Sequence, residues 1–99
     1  MANPEPTLSS SLNAIVDPTR RRILHSLKRR GASPLGKSAG LCAGDIEERV
    51  RLSQPTISHH MAILTKAGLV EAKKQGQWRR YRRNEPAIRR LVKMLRAEL

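Results

Sequence analysis

A mainly α-helical chain carrying one small β-hairpin is the fold class that this 99-residue sequence predicts. Three observations carry that expectation. Apolar residues recur three and four apart in five stretches, the period of amphipathic helices. Asp17-Pro18, Ser53-Gln54-Pro55 and Asn84-Glu85-Pro86 are helix starts. Each sets a capping side chain just ahead of a proline in the first turn, where a missing N–H costs nothing. Gly76 divides two extended runs, Leu69 to Gln75 and Gln77 to Arg83, at the bend where a tight hairpin demands positive φ.

Taken in order, residues 1–7 with Pro4 and Pro6 are expected to be a disordered lead, and 8–99 a single domain. Leu8, Leu12, Ile15 and Val16 give a first helix its stripe, with three serines able to cap it. Asp17 caps a second helix whose buried side is Ile23, Leu24 and Leu27, leaving Arg20, Arg21 and Arg22 as a solvated face. Gly31 to Gly40 is a small-residue loop, and Leu41-Cys42-Ala43 a short extended link. Asp45 to Val50 is a short helix with Ile46 and Val50 four apart, and a tight turn follows it. The next helix buries Ile57, Met61 and Leu64 and closes at Gly68, which can take the left-handed conformation. The last helix has the stripe Ile88, Leu91, Val92, Leu95 and Leu99, with Arg89, Arg90, Lys93 and Arg96 kept wet. Two short helices across a brief turn make a helix-turn-helix, whose second helix enters a major groove. With the hairpin behind it, the expected architecture is α+β: a winged helix-turn-helix of about five helices and a two-stranded wing.

The second helix of that pair is where chemistry concentrates. Opposite its apolar stripe lie Gln54, Thr56, Ser58 and His59, short uncharged groups suited to base edges. An ordinary solvated face would carry the same residues, and the neighbouring helix and turn favour DNA. Ser53 is expected to accept a hydrogen bond from a first-turn N–H. His60 borders the core stripe and has two readings, a bond within the fold or a contact to DNA. In the hairpin, Lys73, Lys74, Arg79, Arg80, Arg82 and Arg83 fall within eleven residues that contain no acid. Like charges so dense repel one another unless a polyanion is near, so Lys73, Lys74, Arg79 and Arg80, together with Ser53, are expected to hold phosphates. Trp78 and Tyr81 are expected to pack the hairpin onto the domain.

Composition agrees. Twenty Lys and Arg against eight Asp and Glu leave a net charge of +12, which calls for a polyanion, most commonly nucleic acid. A membrane surface is the rival partner, but no amphipathic helix has the Trp or Phe that would favour it. With no Phe, the core is built from Leu, Ile, Val, Ala and Met, and a dimer would enlarge so small a core. Leu8, Leu12, Ile15, Leu91 and Leu95 are the stripes left for such an interface, although a purely intrachain core would use them as well. Cys42 is alone, which fits a reducing compartment. No signal sequence or membrane span is visible, so a cytoplasmic location is expected.

An enzyme finds little support: there is no glycine-rich phosphate loop and no nucleophile with an evident base. Asp45, Glu47 and Glu48 suit the start of a helix. No metal site or cofactor is expected either. Cys42 is best taken as a small buried apolar residue, His25 as exposed and idle. His59 and His60 are adjacent on a helix and point ~100° apart, so they cannot chelate one ion together.

The residues Leu52 to His60, Lys66-Ala67-Gly68-Leu69-Val70, Gln75-Gly76-Gln77-Trp78 with Tyr81, and Asp17-Pro18-Thr19-Arg20-Arg21-Arg22-Ile23-Leu24 resemble the ArsR/SmtB family of prokaryotic winged-helix repressors. The resemblance spans roughly residues 12 to 84 and implies a homodimeric DNA-binding repressor. Loop 31–40 is longer than it implies. Many relatives of this fold sense metals through paired cysteines near the position of Cys42 or a histidine and carboxylate cluster on the last helix. This chain has one cysteine there and no histidine on its last helix. The resulting expectation is a repressor binding double-stranded DNA at a pseudo-palindromic operator, its effector unspecified. The rival readings are a module docking an acidic protein and a nucleoid-type protein without sequence preference.

Overall fold

The structure, a computed structural model, describes residues 7–28 and 41–99; of the expected lead over 1–7, residues 1–6 lie outside the described residues, as does the loop over 31–40, while Thr7 caps the first helix instead of belonging to a disordered lead. The elements run α1 (Leu8–Ile15), α2 (Pro18–Lys28), β1 (Leu41–Cys42), α3 (Ala43–Val50), α4 (Gln54–Lys66), β2 (Val70–Gln75), β3 (Trp78–Arg83) and α5 (Glu85–Glu98). Five helices and the wing therefore match the expectation, with strand ends shifted by a residue. The difference is β1. Leu41 and Cys42 are more than a link, for they pair antiparallel with β3 at Tyr81 and Arg80 and make the sheet three-stranded, in the order β1-β3-β2. The pairing occupies backbone groups that a bare hairpin would leave open along β3.

Caps follow local chemistry. Thr7 is the N-cap of α1: its hydroxyl accepts from the Ser10 N–H at 3.1 Å, while the Ser10 hydroxyl accepts from the Thr7 N–H at 2.9 Å. Asp17 accepts from the Thr19 and Arg20 N–H groups at 2.7 and 3.2 Å, as its place before Pro18 predicts. Asn84 accepts from the Ala87 N–H at 3.3 Å to start α5. It also donates its side-chain amide to the Gly68 carbonyl at 3.0 Å and its N–H to the Leu69 carbonyl at 2.9 Å, so one residue fastens α5 to the end of α4.

The core sits where α2, α3, α4 and the base of the sheet meet. Ile23, Ile46, Ile57 and Leu64 have no exposure, and Met61, Leu69 and Val70 almost none. Each such side chain contributes on the order of 1.5–3 kcal/mol through burial. Tyr81 closes the core from the hairpin side, as expected. α1 and α5 lie at its edge. There Leu8, Ile15, Ile88 and Leu95 are half-buried and Leu91 is buried, whereas Leu12, Val16, Val92, Met94 and Leu99 remain exposed.

The arginines of α2 correct the expected solvated face. Arg20 is buried, because it lies one helical turn before Ile23 on the same side. Its charge is matched there: the guanidinium donates to the Ala14 carbonyl at 2.6 Å and lies 3.8 Å from the Asp17 carboxylate. Arg21 and Arg22 are exposed, but they too close helix ends. Arg21 donates to the carbonyls of Ile15 and Val16 at 2.7 and 2.9 Å, Arg22 to that of Val50 at 3.2 Å. Cations at C-terminal carbonyls are favoured by the helix dipole.

Candidate nucleic-acid interface

Three residues separate α3 from α4. Arg51 turns the chain in the left-handed region, φ 57°, with its N–H on the Glu47 carbonyl at 2.8 Å. Non-glycine residues adopt that conformation uncommonly, and here it re-aims the chain within one residue. With Ile46 and Val50 of α3 and Ile57, Met61 and Leu64 of α4 all buried, α4 is held by one face. Gln54, Thr56, Ser58 and His59 are consequently all exposed on its first two turns. Pro55 and Ala62 are exposed on the same helix.

Ser53 takes the N-cap position but does not cap as expected. Its hydroxyl pairs with that of Thr56 at 2.9 Å, while the Ser53 carbonyl receives the Ile57 N–H at 3.0 Å. The first-turn N–H groups of α4 are thus not occupied by the serine side chain, and the helix start stays suited to an anion.

His60 belongs to the fold. It is half-buried, and its Nδ1 lies 3.3 Å from a guanidinium nitrogen of Arg20. Burial lowers its pKa below 6.5, the Asp17 carboxylate pulls it up, and Arg20 and His59 push it down again. Asp17 itself is held below the usual carboxylate value: desolvation alone would raise it, but the Arg20 and Thr19 N–H groups and the Arg20 charge outweigh that. Sequence reasoning missed Arg20 as a partner, although its three-residue spacing from Ile23 marks the buried side.

In the wing, β2 and β3 pair Lys73 with Arg80 and Lys74 with Arg79 directly across. Lys73, Lys74 and Arg79 are exposed, and Arg80 is half-buried. Arg82 and Arg83 depart from the expected unbalanced run: Arg82 pairs with Glu71 at 3.1 Å and Arg83 with Glu85 at 2.9 Å. Both acids stand just outside the eleven acid-free residues, one across the strand pair and one in the next helix. Gly76 carries the bend at φ 59°.

Cys42 is half-buried, not a fully buried apolar residue. It precedes α3, and both its N–H and its thiol donate to the Asp45 carboxylate, at 3.2 and 3.1 Å. Among the described residues no three His, Cys, Asp or Glu side chains converge as metal ligands would, and no described helix is long and apolar enough to cross a membrane.

Fold and site together define a winged helix-turn-helix DNA-binding domain, the architecture of a transcription regulator. Residues 17–72 match the family model described as bacterial regulatory protein, arsR family. The transcriptional repressor SdpR of Bacillus subtilis is 36% identical over 81 residues, 82% of this chain and 80% of that one. An arsenical resistance operon repressor of Staphylococcus xylosus is 40% identical over 78 residues, 78% of this chain and 65% of its own. Among solved structures, an ArsR-like transcriptional regulator from Rhodococcus sp. RHA1 superposes with a TM-score of 0.74 at 30% identity, covering 91% of this chain and 76% of that one. A homodimeric winged helix-turn-helix DNA-binding domain from Mycobacterium bovis shares the fold, with a TM-score of 0.68 at 23% identity over 92% of this chain and 77% of that one. The chain belongs to the arsR family of bacterial regulatory proteins.

Proposed function

We propose that this chain is a sequence-specific repressor that binds a pseudo-palindromic operator in double-stranded DNA as a homodimer. The observation that carries the reading is the exposed, uncharged start of α4 beside a wing whose exposed residues are basic. Gln54, Thr56, Ser58 and His59 read base edges, where hydrogen-bonding side chains distinguish all four base pairs. Ser53 and the wing residues Lys73, Lys74, Arg79 and Arg80 hold phosphates. Those contacts fix register without reading sequence.

The dimer forms through α1 and α5. Leu12, Val16, Val92 and Met94 are apolar side chains left exposed on these two helices, and Leu8, Ile15, Leu91 and Leu95 back them from within. A two-fold arrangement sets the two α4 helices in successive major grooves, ~34 Å apart. The protein catalyses nothing and senses no metal: Cys42 is committed to Asp45, and zinc usually needs four converging ligands.

The test is a titration of the preferred duplex from a randomised library against a scrambled duplex, at two salt concentrations. Tight binding to the first and weaker, strongly salt-dependent binding to the second is expected. Equal affinities would instead indicate a nucleoid-type protein, and no binding to either a module for acidic proteins.

A further inference from the structure

We propose that His60 is a positioning residue for base reading: it accepts a hydrogen bond from the buried Arg20, which locks α4 to the C-terminal end of α1, and protonation of His60 releases that lock. The inference rests on the base-reading role proposed above for the start of α4.

Arg20 of α2 reaches two other helices from one buried position. Its Nε donates to the Ala14 carbonyl at 2.6 Å, one terminal nitrogen to the Asn13 carbonyl at 3.3 Å, and the other lies 3.3 Å from His60 Nδ1. Ala14 and Asn13 belong to the last turn of α1, and His60 to the second turn of α4. A guanidinium has donors only and stays charged. The bond to His60 therefore runs in one direction: Nδ1 offers a lone pair, and the ring proton sits on Nε2. Only the neutral imidazole can take this place.

Protonation would turn Nδ1 from acceptor into donor, aimed at a cation. The groups facing His60 are Asp17 at the cap of α2, Arg20 of α2 and His59 of α4; the carboxylate favours the charged ring, and the two basic groups oppose it. Both backbone N–H groups bond Asp17 Oδ1, and Oδ2 lies 3.8 Å from the same Arg20 nitrogen, so the carboxylate is anchored beyond hydrogen-bond reach of it. Adjacent histidines thus divide the work. His59 is exposed on the face proposed to read bases, while His60 holds the helix that presents it. Because α1 also bears the exposed Leu12, the lock joins the proposed dimer face to the reading helix.

Linkage gives the sign. With His60 held neutral in the fold and its pKa below 6.5, the unfolded chain takes the proton first as pH falls. Stability is fully present above about pH 6.5 and declines below it.

The experiment uses the full chain and the preferred duplex from a randomised library. Between about pH 7.5 and about pH 5.5, wild-type affinity should fall roughly tenfold as His60 charges. His60→Asn, whose side-chain oxygen stands near the place of Nδ1 and does not titrate, should fall less than about threefold and prefer the same duplex. His59→Asn should still lose affinity as pH falls, since His60 remains, and should change the base preference. Parallel profiles for wild type and His60→Asn, or an altered base preference in His60→Asn, would overturn the proposal. Nitrogen-15 NMR of the wild-type imidazoles decides it even if His60→Asn does not fold. A His60 ring proton on Nε2 with a midpoint below 6.5 supports the lock, and a proton on Nδ1 at neutral pH or a midpoint above 6.5 removes it. Failure of the library to yield any preferred duplex would instead sink base reading, and the imidazole titration would still judge the lock.

Discussion

Lys74→Ala should strengthen the fold while weakening DNA binding. Lys74 stands directly across from Arg79, and the neighbouring rung sets Lys73 against Arg80. Like charges directly opposite destabilise a strand pair by something on the order of 0.2–1 kcal/mol. Relieving one rung should therefore raise stability by about 0.5 kcal/mol, or roughly 2–4 °C in Tm for a domain of this size. A phosphate contact has the opposite sign. Each phosphate neutralised adds about 0.9 to the slope of log K against log salt, so a dimer losing one contact per wing should lose about 1.8. The loss should be the same for operator and random DNA, since a phosphate carries no sequence information. Fluorescence anisotropy over a salt series, beside a thermal melt, measures both. A lower Tm with an unchanged slope would refute the reasoning, because Lys74 would then be holding the hairpin together instead of waiting for a polyanion.

Val92→Glu should yield a folded monomer in analytical ultracentrifugation. Val92 is 52% exposed in the protomer but would place an unpaired charge in the proposed interface; a persistent dimer would contradict that interface. Leu95→Glu, which is half-buried, should give monomers or unfolding. Operator affinity should stay within about twofold when zinc, nickel, copper or arsenite is added. A drop of about 5–150-fold, the usual size of allosteric coupling, that Cys42→Ser abolishes would establish a metal or arsenite site.

Much of this molecule is legible in its sequence because its boundaries are written in local chemistry. Asp17, Asn84, Gly68 and Gly76 each act through their own backbone neighbourhood, and each does what its residue type suggests. The helix-turn-helix is legible for a related reason: Ile46, Val50, Ile57, Met61 and Leu64 follow helical periods and are all buried. What was hidden depends on partners distant in sequence. Pairing of Leu41 and Cys42 with β3 spans some forty residues, as does the bond from Arg20 to His60. An arginine triplet looks uniformly solvated until a tertiary partner selects one member for burial. Balance of Arg82 and Arg83 by Glu71 and Glu85 was hidden differently, since counting charges over residues 73–83 leaves out the acids two residues beyond each end. Ser53 shows that a side chain can occupy a cap position and still choose a neighbouring hydroxyl over the backbone.

The central claim is that the exposed start of α4 reads bases, and Ser58→Ala tests it most directly. Ser58 is exposed, so its loss should leave the fold intact. The account predicts a cost of roughly 1–3 kcal/mol on the preferred duplex and lost discrimination at one position in each half-site, with affinity for scrambled DNA unchanged. Operator preference left intact at every position would contradict the proposed orientation of α4 in the groove.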